Sequence, residues 1–322
     1  MNSIAFFNNK AGVGKTSLVY HLAWMFADLG IPVLAADLDP QANLTSMFLD
    51  EERLESLWPD EDEHPSTVYG AVRPILQGIG DIAPPPVEWI ARDLGLLPGD
   101  LGLARFEDTL SCRNHDEPSL RATTAFYRLL KQMSNGWAKL VLIDLGPNLG
   151  AINRAALIAA DHVCVPFAPG PYTARDLKNF GSTLTQWRDA WSALKSNDSQ
   201  GHGLPSGGMR PAGFVVTWRP LQRTYPLLTQ VPTAYRTHVL NQPLPESMPQ
   251  IADDPNCLAQ LKHSRSLLPL AMEAHKPVFA LTPADGAIGA HAEAVRQSKT
   301  EFLRLANAIA AAVGLPMPST AI

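Results

Sequence analysis

The stretch IAFFNNKAGVGKTS, residues 4–17, decides how the rest of the chain is interpreted. Four apolar residues predict a buried strand, and the turn that follows the strand is rich in glycine. Gly12 and Gly14 allow the backbone to bend so that successive N–H groups point toward one ligand. From Lys15 onward, apolar side chains recur at helical spacing, so the turn leads into a helix N-terminus. This order of elements predicts a phosphate-binding loop.

The predicted loop offers the groups that bind a nucleoside triphosphate. Lys15 would reach the β- and γ-phosphates, and the Thr16 hydroxyl would ligate Mg²⁺. The general pattern GxxxxGKT/S is met except that Asn9 occupies the first glycine position. We therefore expect ATP or ADP to contact the whole loop: Ala11, Gly12, Val13, Gly14, Lys15, Thr16 and Ser17.

Length and composition limit the possible classes of protein. The chain has 322 residues, 46% of them hydrophobic, and a formal net charge of -5. This charge argues against a general polyanion binder, so any nucleic-acid contact would need a local patch. The three cysteines lack the spacing of a disulfide framework or a zinc site. No signal-peptide pattern and no bilayer-spanning run is seen, so we expect a cytoplasmic protein without a membrane partner.

Short apolar runs alternate with helix-like segments along the chain. This alternation predicts an α/β fold, a doubly wound, mostly parallel sheet flanked by helices, in a single domain over residues 1–322. Two segments interrupt the pattern, an acidic one near 50–63 and a glycine-rich one near 195–210. We interpret the first as solvated surface and the second as a flexible loop. The predicted strands are 4–7, 32–36, 94–97, 140–143, 163–165 and 213–216, and helices are predicted over 15–29 and 290–313.

Carboxylates follow two of the other predicted strands. Asp37 and Asp39 stand one residue apart in ADLDPQAN, and Asp144 ends the apolar run LVLID. The carboxyl ends of parallel strands form the edge at which α/β folds bind ligands, so we expect these side chains beside the loop. Mg²⁺ binds one or two carboxylates in addition to phosphate oxygens and waters, so these aspartates could supply the carboxylates of a magnesium site.

Taken together, the motifs resemble the ParA/MinD family of deviant Walker A P-loop ATPases, and ParA-type partition ATPases most closely. Lys10 stands five residues before Lys15, as in the family pattern KGGxGKT/S. ADLDPQAN resembles the family's DxDPQGN with Ala42 for its glycine, and LIDLGP resembles its Walker B ending. Ala11 replaces a second glycine in the loop itself.

The resemblance implies roles for individual residues. Lys10 would cross a dimer interface to the partner's nucleotide, and Lys10, Lys15 and Asp39 would form the catalytic set. Asp39 would position or activate the attacking water. Asp37 would hold Mg²⁺ or one of its waters, as would Thr16 and Asp144. Thr217, at the end of a later strand, is expected near the base.

The resemblance also implies an output, which is slow hydrolysis that switches an ATP-dependent homodimer with the help of an activating partner protein. The switch would partition or position DNA or another large cargo. Two alternatives stay open, an ATP-dependent metabolic ligase or synthetase on the same scaffold and a nucleotide-binding regulatory adaptor. The later half of the chain has a mild excess of basic residues, namely Arg210, Arg219, Arg223, Arg236, Lys262 and Arg265. These residues would allow non-specific DNA binding, although a solvated surface explains them equally well.

Overall fold

The computed structural model describes residues 2–60, 63–111, 117–168, 173–196, 203–218, 230–245, 247, 250–262 and 266–318. An eight-stranded sheet organises these residues. The strands are β1 (Asn2–Phe6), β2 (Val33–Asp37), β3 (Glu88–Ala91), β4 (Leu94–Leu97), β5 (Leu140–Asp144), β6 (His162–Phe167), β7 (Arg210–Trp218) and β8 (Cys257–Lys262). Their order across the sheet is β3-β4-β2-β5-β1-β6-β7-β8. All neighbours pair in parallel except β3 and β4, so the predicted fold class is confirmed.

Helices connect the strands and cover both faces of the sheet. They are α1 (Lys15–Asp28), α2 (Asn43–Phe48), α3 (Glu51–Leu57), α4 (Val68–Leu76), α5 (Phe106–Ser111), α6 (Glu117–Thr123), α7 (Ala125–Ser134), α8 (Ala151–Ala159), α9 (Thr173–Ser196), α10 (Gln230–Ala234), α11 (Leu268–Glu273) and α12 (Ala290–Val313). A π-helical stretch, Tyr235–Leu240, continues α10. Among the described helices, none is both long and apolar enough to cross a membrane.

The first strand shows why its sequence does not alternate. Ile4 and Phe6 pack with residues of α1 and α12 on one face of the sheet, whereas Ala5 and Phe7 pack with α7, α8 and α9 on the other. Both faces are buried there, so the run from Ile4 to Phe7 is apolar at every position. The same reason explains the uninterrupted apolar runs of β2 and β5, in which all residues are buried.

The sequence did not predict β3 and β8. Both lie at the two ends of the sheet order, where a strand pairs on one side only and carries less apolar sequence. In β3, no residue is fully buried, and in β8 polar Gln260 interrupts the run. The helices predicted from periodicity are confirmed, and α12 has the predicted bounds Ala290–Val313.

Both interrupting segments contain local structure that the sequence did not predict. The acidic segment contains α3, which Asp50 caps by accepting a hydrogen bond from the Arg53 N–H, and Leu57 of this helix is buried. In the glycine-rich segment, residues 197–202 lie outside the described residues, but 203–209 are held by packing. The indole N–H of Trp191 donates to the Pro205 carbonyl at 3.1 Å, and Met209 is buried. Trp191 lies 14 residues before Pro205, so local composition does not reveal this anchor.

Candidate nucleotide site

The loop between β1 and α1 has the backbone geometry of an anion cradle. Gly12 and Gly14 adopt left-handed φ values of 71° and 87°, which glycine adopts without strain. Gly14 is also the N-cap of α1, and no side chain caps this helix, so its first N–H groups stay available to a ligand. This backbone geometry is compatible with the predicted phosphate-binding loop, and phosphate binding itself remains a prediction.

Thr217 supports the loop from behind. Its hydroxyl lies 3.0 Å from the Val13 carbonyl oxygen and 3.1 Å from the Phe167 carbonyl oxygen, so it ties the loop to the ends of β6 and β7. The structure therefore places this predicted base contact against the loop backbone. Its proximity to a base remains a prediction.

The two alanines that replace family glycines differ in conformation. Ala11 is exposed and its φ is not positive, so the methyl group causes no backbone strain in the loop. Ala42 is buried and adopts φ 52° and ψ 32°, the left-handed region. A non-glycine residue there costs about 1 kcal/mol. Of the two departures from the family pattern, Ala42 is therefore the one that affects the backbone.

Lys15 is a desolvated positive charge. Its side chain is 7% exposed, and its Nζ donates a long hydrogen bond, 3.5 Å, to the Lys10 carbonyl. Burial lowers the pKa of Lys15, while the charges of Asp144 and Asp39 oppose that shift. No carboxylate among the described residues lies within salt-bridge distance of Nζ. An incoming phosphate would therefore meet a lysine that lacks a close counter-ion.

Asp144 is the unsatisfied member of the site. It is fully buried at the end of β5, and neither carboxylate oxygen accepts a hydrogen bond of normal geometry from any described residue. Burial, and then the charge of Asp37, raises the pKa of Asp144 well above its usual range, while the nearby Thr16 hydroxyl and Lys15 oppose the shift. Such a carboxylate is costly unless a cation or donor joins it. Its position beside Thr16 fits a divalent cation that arrives with a nucleotide.

Asp37 is fully satisfied by contrast. Its Oδ2 accepts hydrogen bonds from the Thr45 backbone N–H and hydroxyl, both at 2.8 Å, and its Oδ1 accepts one from the Asp39 N–H at 3.3 Å. Burial raises the pKa of Asp37 to about 7, which the Thr45 bonds partly oppose. These bonds make Asp37 an internal anchor, and its predicted role toward Mg²⁺ remains a prediction.

The sequence did not identify the partners of Asp37. The Thr45 hydroxyl accepts a bond from the Gly99 N–H at 2.7 Å, which joins α2 to the turn after β4. A Cβ on Gly99 would lie 2.7 Å from the Asp37 Cγ, so only glycine fits at this turn. The Pro-Gly pair at the end of a strand was a visible signal for this turn. The position of Thr45 in the sequence gave no comparable signal that it binds Asp37.

Asp39 lies between the phosphate loop and the loop that follows β5. It is 6% exposed, and its Oδ1 accepts a hydrogen bond from the Gln41 N–H at 3.0 Å. Gly146, in the loop after β5, backs it so closely that a Cβ there would lie 3.1 Å from the same oxygen. The predicted site residues Lys15, Asp37, Asp39 and Asp144 are thus brought to one edge of the sheet.

Lys10 lies on another side of the same loop. Its N–H donates to the Asn8 Oδ1 at 2.9 Å, and its half-buried side chain lines a cavity with Asp176 and Asn179 of α9. The cleft that Lys15 and Thr16 line is a different one. Within the part of the chain that the structure describes, Lys10 forms no ion pair.

The cleft beside the loop is large enough for more than a triphosphate. It has a volume of about 550 Å³, within the usual range for small-molecule sites. The loop and the start of α1 form one wall, and α11 with the residues after it forms the other: Leu268, Ala271, Met272, His275 and Lys276. Among the described residues, no group of three or more His, Cys, Asp or Glu side chains is arranged to hold a metal by itself. A cation would therefore need phosphate oxygens to complete its shell.

The predicted basic patch is not assembled in the described residues. Arg219, Arg223, Arg265 and the side chain of Lys262 lie outside them. Arg236 Nη2 pairs with the buried Asp254 at 3.8 Å, so its charge is engaged internally. DNA binding by this patch remains a prediction.

These observations define the class as a P-loop ATPase fold with a phosphate loop after the central strand. Residues 1–196 match the AAA_31 family, described as an AAA domain, and the chain belongs to this family, within the ParA/MinD group of P-loop ATPases. Among curated relatives, protein IncC of Escherichia coli is 32% identical over 195 residues, which cover 61% of this chain and 49% of IncC. The chain spans about half the length of the curated relatives it matches first.

Solved structures share the fold over nearly the whole chain. Protein DIP2308 from Corynebacterium diphtheriae has a TM-score of 0.70 at 22% identity and covers 97% of this chain and 99% of its own. A complex of a Cyanothece McdA variant with ATP has a TM-score of 0.62 at 14% identity and covers 99% of this chain and 98% of its own. At these identities the likeness establishes the fold.

Proposed function

We propose that this chain is a ParA-like ATPase that binds Mg-ATP at the phosphate loop, forms an ATP-dependent homodimer and uses slow hydrolysis as a switch. The proposed output is the partitioning or positioning of DNA or another large cargo, with an activating partner protein. Family membership supports this proposal, because the chain's relatives include ParA-like partition proteins.

One observation carries the nucleotide assignment. Asp144 is fully buried beside Lys15 and Thr16, and its carboxylate accepts no hydrogen bond of normal geometry from the described residues. Thr16 and Asp144 supply oxygens of the kind that Mg²⁺ shares with phosphate and water. Mg²⁺ bound there would neutralise negative charge that develops on the phosphate oxygens. Among the described residues, this ionisable group has no hydrogen bond of normal geometry at the place where a cation would be needed.

The chain's own residues would then divide the work. The inward N–H groups between Gly12 and Lys15 bind the phosphates, and the desolvated Lys15 charge is drawn to the β- and γ-oxygens. Asp39, held by the Gln41 N–H, orients the attacking water in line with the γ-phosphate. Catalysis of this type depends on position and charge more than on covalent chemistry.

Lys10 would act on a second copy of the chain. Its side chain lines a cavity beside α9, separate from the cleft that Lys15 lines, so the chain's own nucleotide is served without it. A lysine at this position would add positive charge to the transition state in the partner site, as an arginine finger does. This geometry supports dimerisation around the nucleotide.

Sedimentation of the Asp39→Ala protein with ADP or ATP, with and without non-specific DNA, tests the proposal. We expect ATP to produce dimers that persist because hydrolysis is lost, and DNA to co-sediment with them. Lys15→Ala should abolish nucleotide binding, and Lys10→Ala should bind ATP yet stay monomeric. Lys131→Ala, an exposed lysine on α7, is the matched control and should behave as wild type.

Each alternative gives a different result. ATP turnover that requires a small substrate would replace the partition proposal with a ligase or synthetase. Binding without any turnover would indicate a regulatory adaptor. Retained ATP affinity in Lys15→Ala would contradict the phosphate-loop assignment itself.

A further inference from the structure

Asn153, in the first turn of α8, is a buried polar residue with an unusual set of contacts. It is 1% exposed, and its Nδ2 lies 2.9 Å from the Gly146 carbonyl oxygen, 2.8 Å from the Asn148 carbonyl oxygen and 2.9 Å from the Asn148 Oδ1. The nitrogen must face these three oxygens, because an amide oxygen in its place would meet acceptors only. The Asn153 amide therefore contacts two backbone carbonyls and one side-chain oxygen of the same loop.

The loop it holds is residues 145–150, which we name the β5–α8 loop. This loop follows Asp144, and its Gly146 lies against Asp39, where a Cβ would be 3.1 Å from the carboxylate. A second tether fixes the far end, because the Glu107 carboxylate accepts hydrogen bonds from the Ala151 N–H at 2.5 Å and the Ile152 N–H at 2.9 Å. The position of the Asp39 carboxylate thus depends on a loop whose own position depends on these tethers.

We propose that Asn153 is a positioning residue for ATP hydrolysis, whose amide clamps the β5–α8 loop so that Gly146 holds Asp39 in the orientation that directs the attacking water. This inference rests on the proposed ATPase function. Asn153 acts on the hydrolytic half of the site only, since Lys15 and Thr16 lie on a different loop. Its loss should therefore impair turnover and leave nucleotide binding intact.

The contacts also distinguish this role from a purely structural one. The Asn153 Oδ1 is buried without a partner in the described part of the chain, so Asn153→Leu removes an unsatisfied acceptor. It also leaves the Gly146 and Asn148 carbonyls without this donor, so we expect Asn153→Leu to fold with reduced stability and with the loop unclamped. Asn148→Ala is a safer second variant, because Asn148 is more exposed and its side chain supplies only one of the three acceptors. Asn135→Leu, at an exposed asparagine that follows α7, is the matched control.

Steady-state ATP hydrolysis and amide hydrogen exchange of residues 146–152, the latter with a non-hydrolysable ATP analogue, test the inference. We expect kcat to fall about tenfold or more in Asn153→Leu with KM within about twofold of wild type. Asn148→Ala should fall less, and Asn135→Leu should match wild type. Exchange of the 146–152 amides should rise in the two loop variants only.

The outcomes separate the two proposals. A wild-type protein that binds no ATP or does not hydrolyse it contradicts the proposed function, and the inference fails with it. If wild type hydrolyses ATP and Asn153→Leu equals it in kcat, the inference alone is overturned. A rise in KM without loss of kcat also overturns it, because the residue would then serve binding. If Asn153→Leu does not fold, an unchanged kcat and unchanged exchange in Asn148→Ala overturn the inference in the same way.

Discussion

Asp37 and Asp144 lie side by side as register partners at the ends of β2 and β5, and both are fully buried. Asp37 accepts three hydrogen bonds from Thr45 and the Asp39 N–H, whereas Asp144 accepts none of normal geometry from the described residues. Identical residues at equivalent positions thus have different surroundings. The satisfied carboxylate anchors Thr45 of α2, and the unsatisfied one is the carboxylate that we propose a cation would join. Two neighbouring aspartates at one sheet edge therefore differ in whether the fold alone supplies their hydrogen bonds.

The largest expected effect is on turnover. Asp144→Asn should reduce ATP hydrolysis about 100-fold, because an amide cannot supply the negative charge that a cation requires. Phosphate-release assays over a range of Mg²⁺ concentrations measure the loss, and excess Mg²⁺ should not restore the rate. A variant with the wild-type rate and Mg²⁺ dependence would show that Asp144 is not the ligand-facing partner.

Removal of the satisfied aspartate should act on stability instead. Asp37→Ala leaves the two Thr45 donors and the Asp39 N–H without their buried acceptor, so unfolding free energy should fall by about 3 kcal/mol. Urea denaturation without nucleotide measures the change. Thr45→Val, which removes one hydroxyl and keeps the shape, should lose less. Equal stability of Asp37→Ala and wild type would remove the distinction between the two aspartates.

The stability of the protein should also depend on pH, because burial shifts the pKa values of these aspartates. A carboxyl whose folded pKa is raised binds more protons in the native state than in the unfolded state, so it destabilises the protein as pH rises from about 4 toward its folded pKa. For Asp37 that window ends at about 7. The folded pKa of His21 is lowered by burial to about 4, so His21 adds stability as pH rises from about 4 to 6.5.

The change of unfolding free energy with pH can be measured for the second aspartate, Asp144. Asp144→Asn should gain stability relative to wild type as pH rises above about 4, by at most about 1.4 kcal/mol per pH unit. Urea melts of the two proteins between about pH 5 and 8 give the difference, and His21 cancels because both retain it. A difference that stays constant with pH would mean that the pKa of the Asp144 carboxyl is not shifted.

The smallest expected effect is on stability, when each of the two alanines is replaced by glycine. Ala42→Gly should stabilise the protein by about 0.5 to 1 kcal/mol, because relief of the left-handed strain exceeds the entropy that glycine adds to the unfolded chain. Ala11→Gly, with no strain to relieve, should destabilise it by about 0.5 kcal/mol. Thermal or urea unfolding of both variants checks the signs. Two shifts of the same sign would contradict the assignment of backbone strain to Ala42.

How much the sequence predicts depends on the range of the interaction involved. The strand runs, α1, α12 and the phosphate loop follow from neighbours within a few residues, and each of these elements was predicted. The edge strands β3 and β8 and the anchored residues 203–209 depend on distant partners, such as Trp191 for Pro205, and local pattern contains no trace of such contacts. The helix α3 in the acidic segment was not predicted either, although its N-cap Asp50 is a local signal.

By itself the sequence determined the fold class, the loop that turns through Gly12 and Gly14, and the three aspartates at strand ends. These features need only backbone freedom, apolar periodicity and the geometry of parallel strands. The tertiary structure alone decided which aspartate is satisfied, which alanine is strained and which asparagine holds the loop beside Asp39. Those outcomes arise because the partners of buried polar atoms depend on how the chain folds, and only the folded chain brings Thr45 to Asp37 while leaving Asp144 without a hydrogen bond of normal geometry from the described residues.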